Sequence, residues 1–495
     1  MFLNMERNNK LMNNKSISRN YIYNLFYQIL VIVLPLVTTP YLSRTLGAEA
    51  IGIYSYTLSI ATYFVLFGSL GVSMYGQREI AYLQDDKKKR TIVFGEILLM
   101  RFITMGISLI IFGLTYVRSN QYRMYYTILT IELISQALDI SWFFQGMEEF
   151  KKTVVRNSIV KIIFVISIFV FIKSPADLFK YILIATLANL IGNLSLWMYL
   201  RKFLDKIKLS ELNILKHIKP AISLFIPQIA IQVYTVLDRT MIGKIWGEKS
   251  EVGYYEQAQK IIRLLLTIVT SLGAVMVPRM ANTYAKGDKE QFKKYLFRSF
   301  NFTFLLAFPV MAGIILVSKE FVPIFFGKGY EKVAILIPVI SPIVVFIAIS
   351  NILGYQILLP TKKQKEYTIS VTVGAIINFI FNLIFIWKFG AVGASISTVL
   401  AEFSVSAIQI FYARDIFRIR DMIKCIKNNF IATMVMVIIT YGINYLLGVT
   451  GVLSVTIQIF IGMVTYGISL LLLKDEFVFY LKDRLVNMVK ARMLH

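Results

Sequence analysis

Three charged residues interrupt an apolar stretch just past the middle of the chain: Glu256, Lys260 and Arg263. Spacings of four and then three residues place all three on one face of a helix. If this helix enters a membrane near Gly253, Arg263 lies about 15 Å deep at 1.5 Å per residue. Two interpretations are open: an internal Glu256–Lys260 ion pair with Arg263 reaching the surface, or a cavity that holds an anion. The depth of Arg263 favours the anion site, because so deep a cation needs a cavity or a partner.

Other ionisable residues also interrupt apolar stretches. Arg101 follows Glu96 in one predicted helix, and Lys161 lies about two turns inside another. Each of these two cations is a candidate cavity ligand or a structural ion-pair partner. Glu132 and Asp139, seven residues apart, share a predicted helix face. These two carboxylates are candidates to carry a coupling H⁺ or Na⁺, or else to neutralise Arg101 or Lys161.

The composition predicts an integral membrane protein. Of the 495 residues 57% are hydrophobic, and the mean hydropathy is +0.66, which is too apolar for a soluble chain of this length. The net charge of +25 does not indicate nucleic-acid binding, because Lys and Arg concentrate in short segments between apolar runs. There they set the orientation of the spans and contact anionic lipid head groups.

Apolar runs long enough to cross the membrane recur along the whole chain. They predict about fourteen transmembrane helices, at 18–42, 50–72, 91–117, 122–144, 154–172, 178–200, 220–243, 253–277, 297–317, 333–358, 367–387, 391–413, 428–448 and 453–473. The bias of Lys and Arg places both termini in the cytoplasm.

A weak internal repeat organises these spans. The run 44–47 resembles 244–247, and both end in Gly; later positions follow with a one-residue insertion. The repeat aligns Ser55, Ser59 and Thr62 with the three charged residues of the second half. We therefore expect an all-α fold of two six-helix bundles related by a parallel pseudo-two-fold axis, with a cavity between them and two further helices at the C-terminus. The predicted domains are a tail at 1–17, a bundle at 18–200, an interfacial linker at 201–219, a bundle at 220–413, two helices at 414–473 and a basic amphipathic tail at 474–495.

The residue types give little support to a catalytic function. Cys425 is the single cysteine, and His217 and His495, the two histidines, fall in predicted extramembrane segments. No catalytic residue, metal site or cofactor is expected, apart from a coupled ion. A membrane polymerase or acyltransferase is disfavoured, because the outer loops are short and no histidine lies in a span.

The N-terminal motifs resemble those of the polysaccharide transporter family. They are Thr39-Pro-Tyr-Leu-Ser-Arg44-Thr-Leu-Gly47 and Tyr75-Gly-Gln-Arg-Glu-Ile80, and Phe326-Gly-Lys-Gly-Tyr330 is similar to a later motif. The family flips repeat units of capsular polysaccharide, exopolysaccharide and O-antigen. It belongs to the MOP flippase superfamily, together with multidrug and toxin extruders and lipid II flippases.

The resemblance implies a flippase in the bacterial cytoplasmic membrane. Its substrate would be an undecaprenyl-pyrophosphate-linked oligosaccharide, moved by alternating access, with membrane lipids and polysaccharide polymerase or assembly proteins as partners. Cationic residues suit such an anionic substrate. A multidrug/cation antiporter of the same fold and a lipid II-type flippase remain the alternatives.

Overall fold

The computed structural model describes residues 2–118, 121–206, 212–480 and 482–483, and every regular element within these residues is a helix. The chain divides into two compact units, Met1–Thr240 and Met241–His495. This boundary falls near the end of a helix that follows the predicted linker 201–219. The predicted domain limits assign segments to the two sides of the membrane, and they stay predictions. Parts of the linker and most of the C-terminal tail lie outside the described residues.

The first unit contains helices α1 to α8. They are α1 Phe2–Ser69, α2 Val72–Tyr82, α3 Lys87–Phe112, α4 Arg123–Ala137, α5 Ser141–Gly146, α6 Phe150–Phe171, α7 Leu178–Leu200 and α8 Leu215–Met241, whose last residue belongs to the second unit. Helix α1 packs against α3, α4 and α6, and α4 packs against α7. A buried hydrophobic cluster joins α2, α3 and α5, with Phe94 stacked on Trp142 at 5.5 Å between ring centroids.

The second unit contains helices α9 to α17. They are α9 Lys249–Val269, α10 Gly273–Ala285, α11 Lys289–Phe326, α12 Glu331–Ile340, α13 Ile343–Ser350, α14 Gln364–Phe389, α15 Ala391–Ala413, α16 Ile419–Leu447 and α17 Gly451–Leu472. The C-terminal pair α16 and α17 packs against α11 around buried Met436 and Tyr466. The Tyr466 hydroxyl donates to Asn429 Oδ1 at 2.8 Å, which ties the two helices together.

The repeat seen in the sequence is visible in the backbone of each unit. Gly47 interrupts α1 at φ 80°, and Gly247 precedes α9 at φ 97°. Both glycines thus have a positive φ, which a residue with a side chain adopts only at a cost, although their ψ angles differ, at 170° and −46°. A second interruption follows in each unit, at Leu70–Gly71 before α2 and at 270–272 before α10.

The apolar helices confirm a multi-pass membrane protein. Ten helices among the described residues are long and apolar enough to cross a membrane, or eleven if the bent pair Glu331–Ile340 and Ile343–Leu358 forms one span. One of the ten, Ile29–Tyr82, includes the interruptions at Gly47 and Leu70–Gly71. The number fourteen is not confirmed. The predicted span 253–277 is divided between α9 and α10, and α9 carries too many charges to pass as an apolar span.

Candidate functional site

The face of α9 that carries Glu256, Lys260 and Arg263 is the less buried side of this helix. Glu256 and Lys260 are half-buried, and Arg263 and Thr267 are exposed. The Glu256 carboxylate lies near enough to Lys260 to interact with it electrostatically. The three charges thus share one face, as the spacing predicts. An open face with two cations and one carboxylate can bind an anion.

A neighbouring face of α9 anchors the helix inside the second unit. The Tyr255 hydroxyl lies 3.0 Å from Thr398 Oγ1 on α15, and Gln259 Nε2 donates to the Tyr255 oxygen at 2.8 Å. Both Tyr255 and Gln259 are buried. This anchoring fixes the rotation of α9 about its axis, and so decides which way the charged face points.

Glu251 holds the beginning of α9 and was not singled out in the sequence. Its buried carboxylate forms an ion pair with Lys332 on α12 and accepts a hydrogen bond from the backbone N–H of Ala391 at 3.0 Å. Glu251 therefore joins the starts of α9, α12 and α15. The sequence offered no signal for it, because an acidic residue in a first helical turn is common.

The equivalent face in the first unit is closed. Ser55 and Ser59 are buried, and the Ser59 hydroxyl lies 2.8 Å from Thr240 Oγ1 on α8. Thr62 donates to the backbone oxygen of Leu58 at 2.7 Å. The hydroxyls of this face thus bond within the protein, whereas the charges of α9 lie on an open face. The structure thus adds a difference in exposure to the difference in residue type, because Ser55 and Ser59 are buried and Arg263 is exposed.

Arg101 lies in the interior of the first unit. Its side chain is 1% exposed, and Nη2 donates to the backbone oxygen of Gln136 at 2.6 Å. Asp139 is near enough to contribute an electrostatic interaction, while Arg101 Nε and Nη1 have no hydrogen-bond partner among the described residues. Lys161 is half-buried on α6. Neither cation is brought together with the α9 group inside one unit.

The two coupling candidates occupy different environments. Glu132 accepts hydrogen bonds from Gln136 Nε2 at 2.9 Å and from Asn189 Nδ2 at 3.0 Å. Asp139 does not lie on the same helix, because α4 ends at Ala137. The Asp139 carboxylate instead accepts from the backbone N–H of Ser141, the kind of local bond with which aspartate favours a turn over a helix. The shared face predicted for these residues is therefore wrong.

A buried network around Glu96 was missed in the sequence. The Glu96 carboxylate accepts from the backbone N–H of Asn213, forms an ion pair with Lys216 and contacts His217 Nε2, each at 2.8 Å. His217 Nδ1 lies 2.6 Å from the hydroxyl of Tyr75. A carboxylate only accepts, so His217 Nε2 carries the proton. Glu96 thus pairs with the predicted linker rather than with Arg101.

The apolar helices define the class as multi-pass membrane proteins. The chain belongs to the family described as polysaccharide biosynthesis protein, whose model matches residues 17–284. The MatE family model matches residues 224–384. This result confirms the resemblance drawn from the N-terminal motifs.

Individual proteins agree with this assignment. A putative O-antigen transporter of Escherichia coli (strain K12) is 24% identical over 408 residues, covering 81% of this chain and 98% of that protein. The lipid II flippase MurJ in an inward closed conformation has a TM-score of 0.74 at 17% identity, covering 92% of this chain and 99% of the other. An outward-facing multidrug resistance MATE family transporter of the MOP superfamily has a TM-score of 0.51 at 14% identity, covering 82% and 95%. These names agree with a transporter and not with an enzyme.

Proposed function

We propose that this protein is a flippase that moves a lipid-linked oligosaccharide across the membrane during the assembly of a surface polysaccharide. The observation that carries the proposal is the open face of α9, where Lys260 and Arg263 lie beside Glu256. The family assignment and the O-antigen transporter supply the substrate class. The more specific proposal is an undecaprenyl-pyrophosphate-linked repeat unit in the bacterial cytoplasmic membrane.

The chemistry of a pyrophosphate explains why two cations on one face are useful. The head group carries negative charge through a region of low dielectric, where uncompensated charge costs several kcal/mol. Arg263 offers a planar fork for two phosphate oxygens, and Lys260 adds a compact charge. Glu256 holds Lys260 in place when no substrate is bound. Arg101 and Lys161, proposed from sequence as further ligands, are secondary candidates because they lie on helices of the first unit, whereas the α9 charges share one helix face.

The remaining parts of the proposal concern topology and energy. Both termini lie in the cytoplasm, and substrate moves by alternating access. Membrane lipids surround the protein, and a polysaccharide polymerase or assembly protein receives the product. Glu132 or Asp139 couples transport to a gradient of H⁺ or Na⁺.

A lipid II-type flippase is the second candidate, because the fold resembles that of MurJ over nearly the whole chain. Its substrate also carries a pyrophosphate, so the α9 cations suit both. Competition between the two lipid-linked substrates during transport distinguishes them. A cation antiporter fits less well, because two cations repel a cationic drug; uptake of a cationic dye tests it.

The decisive experiment is the substitution Arg263→Ala. We expect it to abolish export of the lipid-linked repeat unit, because head-group charge then lacks its main ligand, without lowering the amount of inserted protein. Arg263→Lys keeps the charge but not the fork and should retain partial export. Arg279→Ala is the matched control, since Arg279 is exposed on α10 and away from this face. Full export by a stable Arg263→Ala protein contradicts the proposed head-group site.

A further inference from the structure

We propose that a groove at one end of the second unit binds the head group of an anionic phospholipid. The groove has a volume of about 1040 Å³ and lies between the start of α11 and the segment that joins α15 to α16. This volume is at the upper end of the range for sites that enclose a small molecule, about 300–1,000 Å³. The inference is separate from the flippase proposal, since it requires only that the protein lies in a membrane.

The floor of the groove is apolar. It includes Phe292, Leu296 and Phe300 on α11 and Phe417 from the joining segment, all buried. The rings of Phe300 and Phe417 pack with their centroids 5.7 Å apart. Such a floor suits the glycerol and upper acyl region of a lipid better than it suits a freely hydrated ion.

The rim of the groove is basic. Lys289, Lys293, Arg414 and Arg418 lie around it. Among the residues that the structure describes, Lys289, Lys293 and Arg418 take part in no ion pair. Basic pockets beside membrane helices bind anionic lipid head groups. Positive charge that no protein carboxylate neutralises is the complement that a phosphate diester needs.

The three carboxylates of the rim offset only part of this charge. Asp415 is held by Lys363, whose Nζ lies 2.8 Å and 2.7 Å from its two oxygens, and this hydrogen bonding lowers the pKa of Asp415. Asp288 accepts from the backbone N–H of Gln291 at 2.9 Å and caps α11. Lys363 offsets the charge of Asp415, so the four rim cations outnumber the two remaining carboxylates, Asp288 and Asp421, and the rim keeps a net positive charge.

The test measures selectivity for a lipid head group. The protein is reconstituted in phosphatidylcholine vesicles, and spin-labelled phosphatidylglycerol or phosphatidylcholine reports the fraction of lipid held at the protein. We expect the wild type to prefer phosphatidylglycerol. In the Lys293→Gln/Arg418→Gln protein this preference should fall at least about tenfold, because each Lys or Arg contributes substantially to the attraction of an anionic lipid. Asp421→Asn should increase the preference, which keeps the test informative if the double variant fails to fold.

A matched control separates a site from bulk charge. Lys365→Gln/Lys427→Gln removes two exposed charges outside the groove and should leave the preference unchanged. Equal losses in the two double variants would overturn the proposal, as would a wild type without preference. Inorganic phosphate at millimolar concentration should not displace the labelled lipid; displacement would mean that the groove takes a soluble phosphate instead.

Discussion

Glu96 is predicted to hold the linker segment on the first unit, and Glu96→Ala tests this directly. The substitution removes the acceptor of three groups, Asn213 N–H, Lys216 and His217. Lys216 is half-exposed and recovers hydration, so its loss is at most about 1 kcal/mol. Leaving the buried His217 without its partner costs about 1–3 kcal/mol of stability, and losing the hydrogen bond from Asn213 costs about 0.5–1.5 kcal/mol more. Glu96→Ala should therefore lower the free energy of opening this segment by about 1.5–5.5 kcal/mol.

Limited proteolysis of the purified protein measures this loss. An opening free energy lowered by about 2 kcal/mol raises the open population about 30-fold, and cleavage within 201–219 should accelerate accordingly. Tyr75→Phe removes only the hydroxyl beside His217 and should lower the same opening free energy by about 1–2 kcal/mol. Glu79→Ala is the control, because Glu79 forms an ion pair with its neighbour Arg78 at the surface and does not contact Glu96 among the described residues. A cleavage rate for Glu96→Ala within threefold of the wild type refutes this reasoning.

Three further predictions concern other parts of the molecule. Glu251→Ala should destabilise the second unit by about 2–4 kcal/mol, because Lys332 and the Ala391 N–H lose a buried partner, and an unchanged thermal midpoint contradicts this. Gly247→Ala should lower the free energy of unfolding by about 1–2 kcal/mol, because Gly247 has a φ of 97°, even though no atom lies within 4 Å of the new methyl group. Gly313→Ala inside α11 should leave the free energy of unfolding unchanged or raise it. Glu132→Gln or Asp139→Asn should abolish gradient-dependent transport and preserve substrate binding; normal transport by both proteins under a controlled gradient rules out coupling by these residues.

The shared face of the α9 charges was predictable from the sequence alone. Helical periodicity is local, so spacings of four and three residues are enough to align Glu256, Lys260 and Arg263. The same rule failed for Asp139, because it assumes that the helix continues. Helix α4 ends at Ala137, where the Asp139 side chain bonds to the backbone of Ser141 instead. A local hydrogen bond of this kind is weakly encoded in hydropathy, which is dominated by the apolar residues around it.

The sequence by itself determined the membrane character, the all-helical class, the internal repeat and the family. These depend on composition, hydropathy and short motifs, all of which are properties of neighbouring residues. Only the tertiary structure decided the partners of the buried charges. Glu96 meets His217 from 121 positions away and Glu251 meets Ala391 from 140 positions away. Such pairings depend on which helices pack together and how each is rotated, and a single sequence carries no direct record of either. For the same reason Arg101, which the sequence grouped with the cavity cations, lies buried beside Gln136.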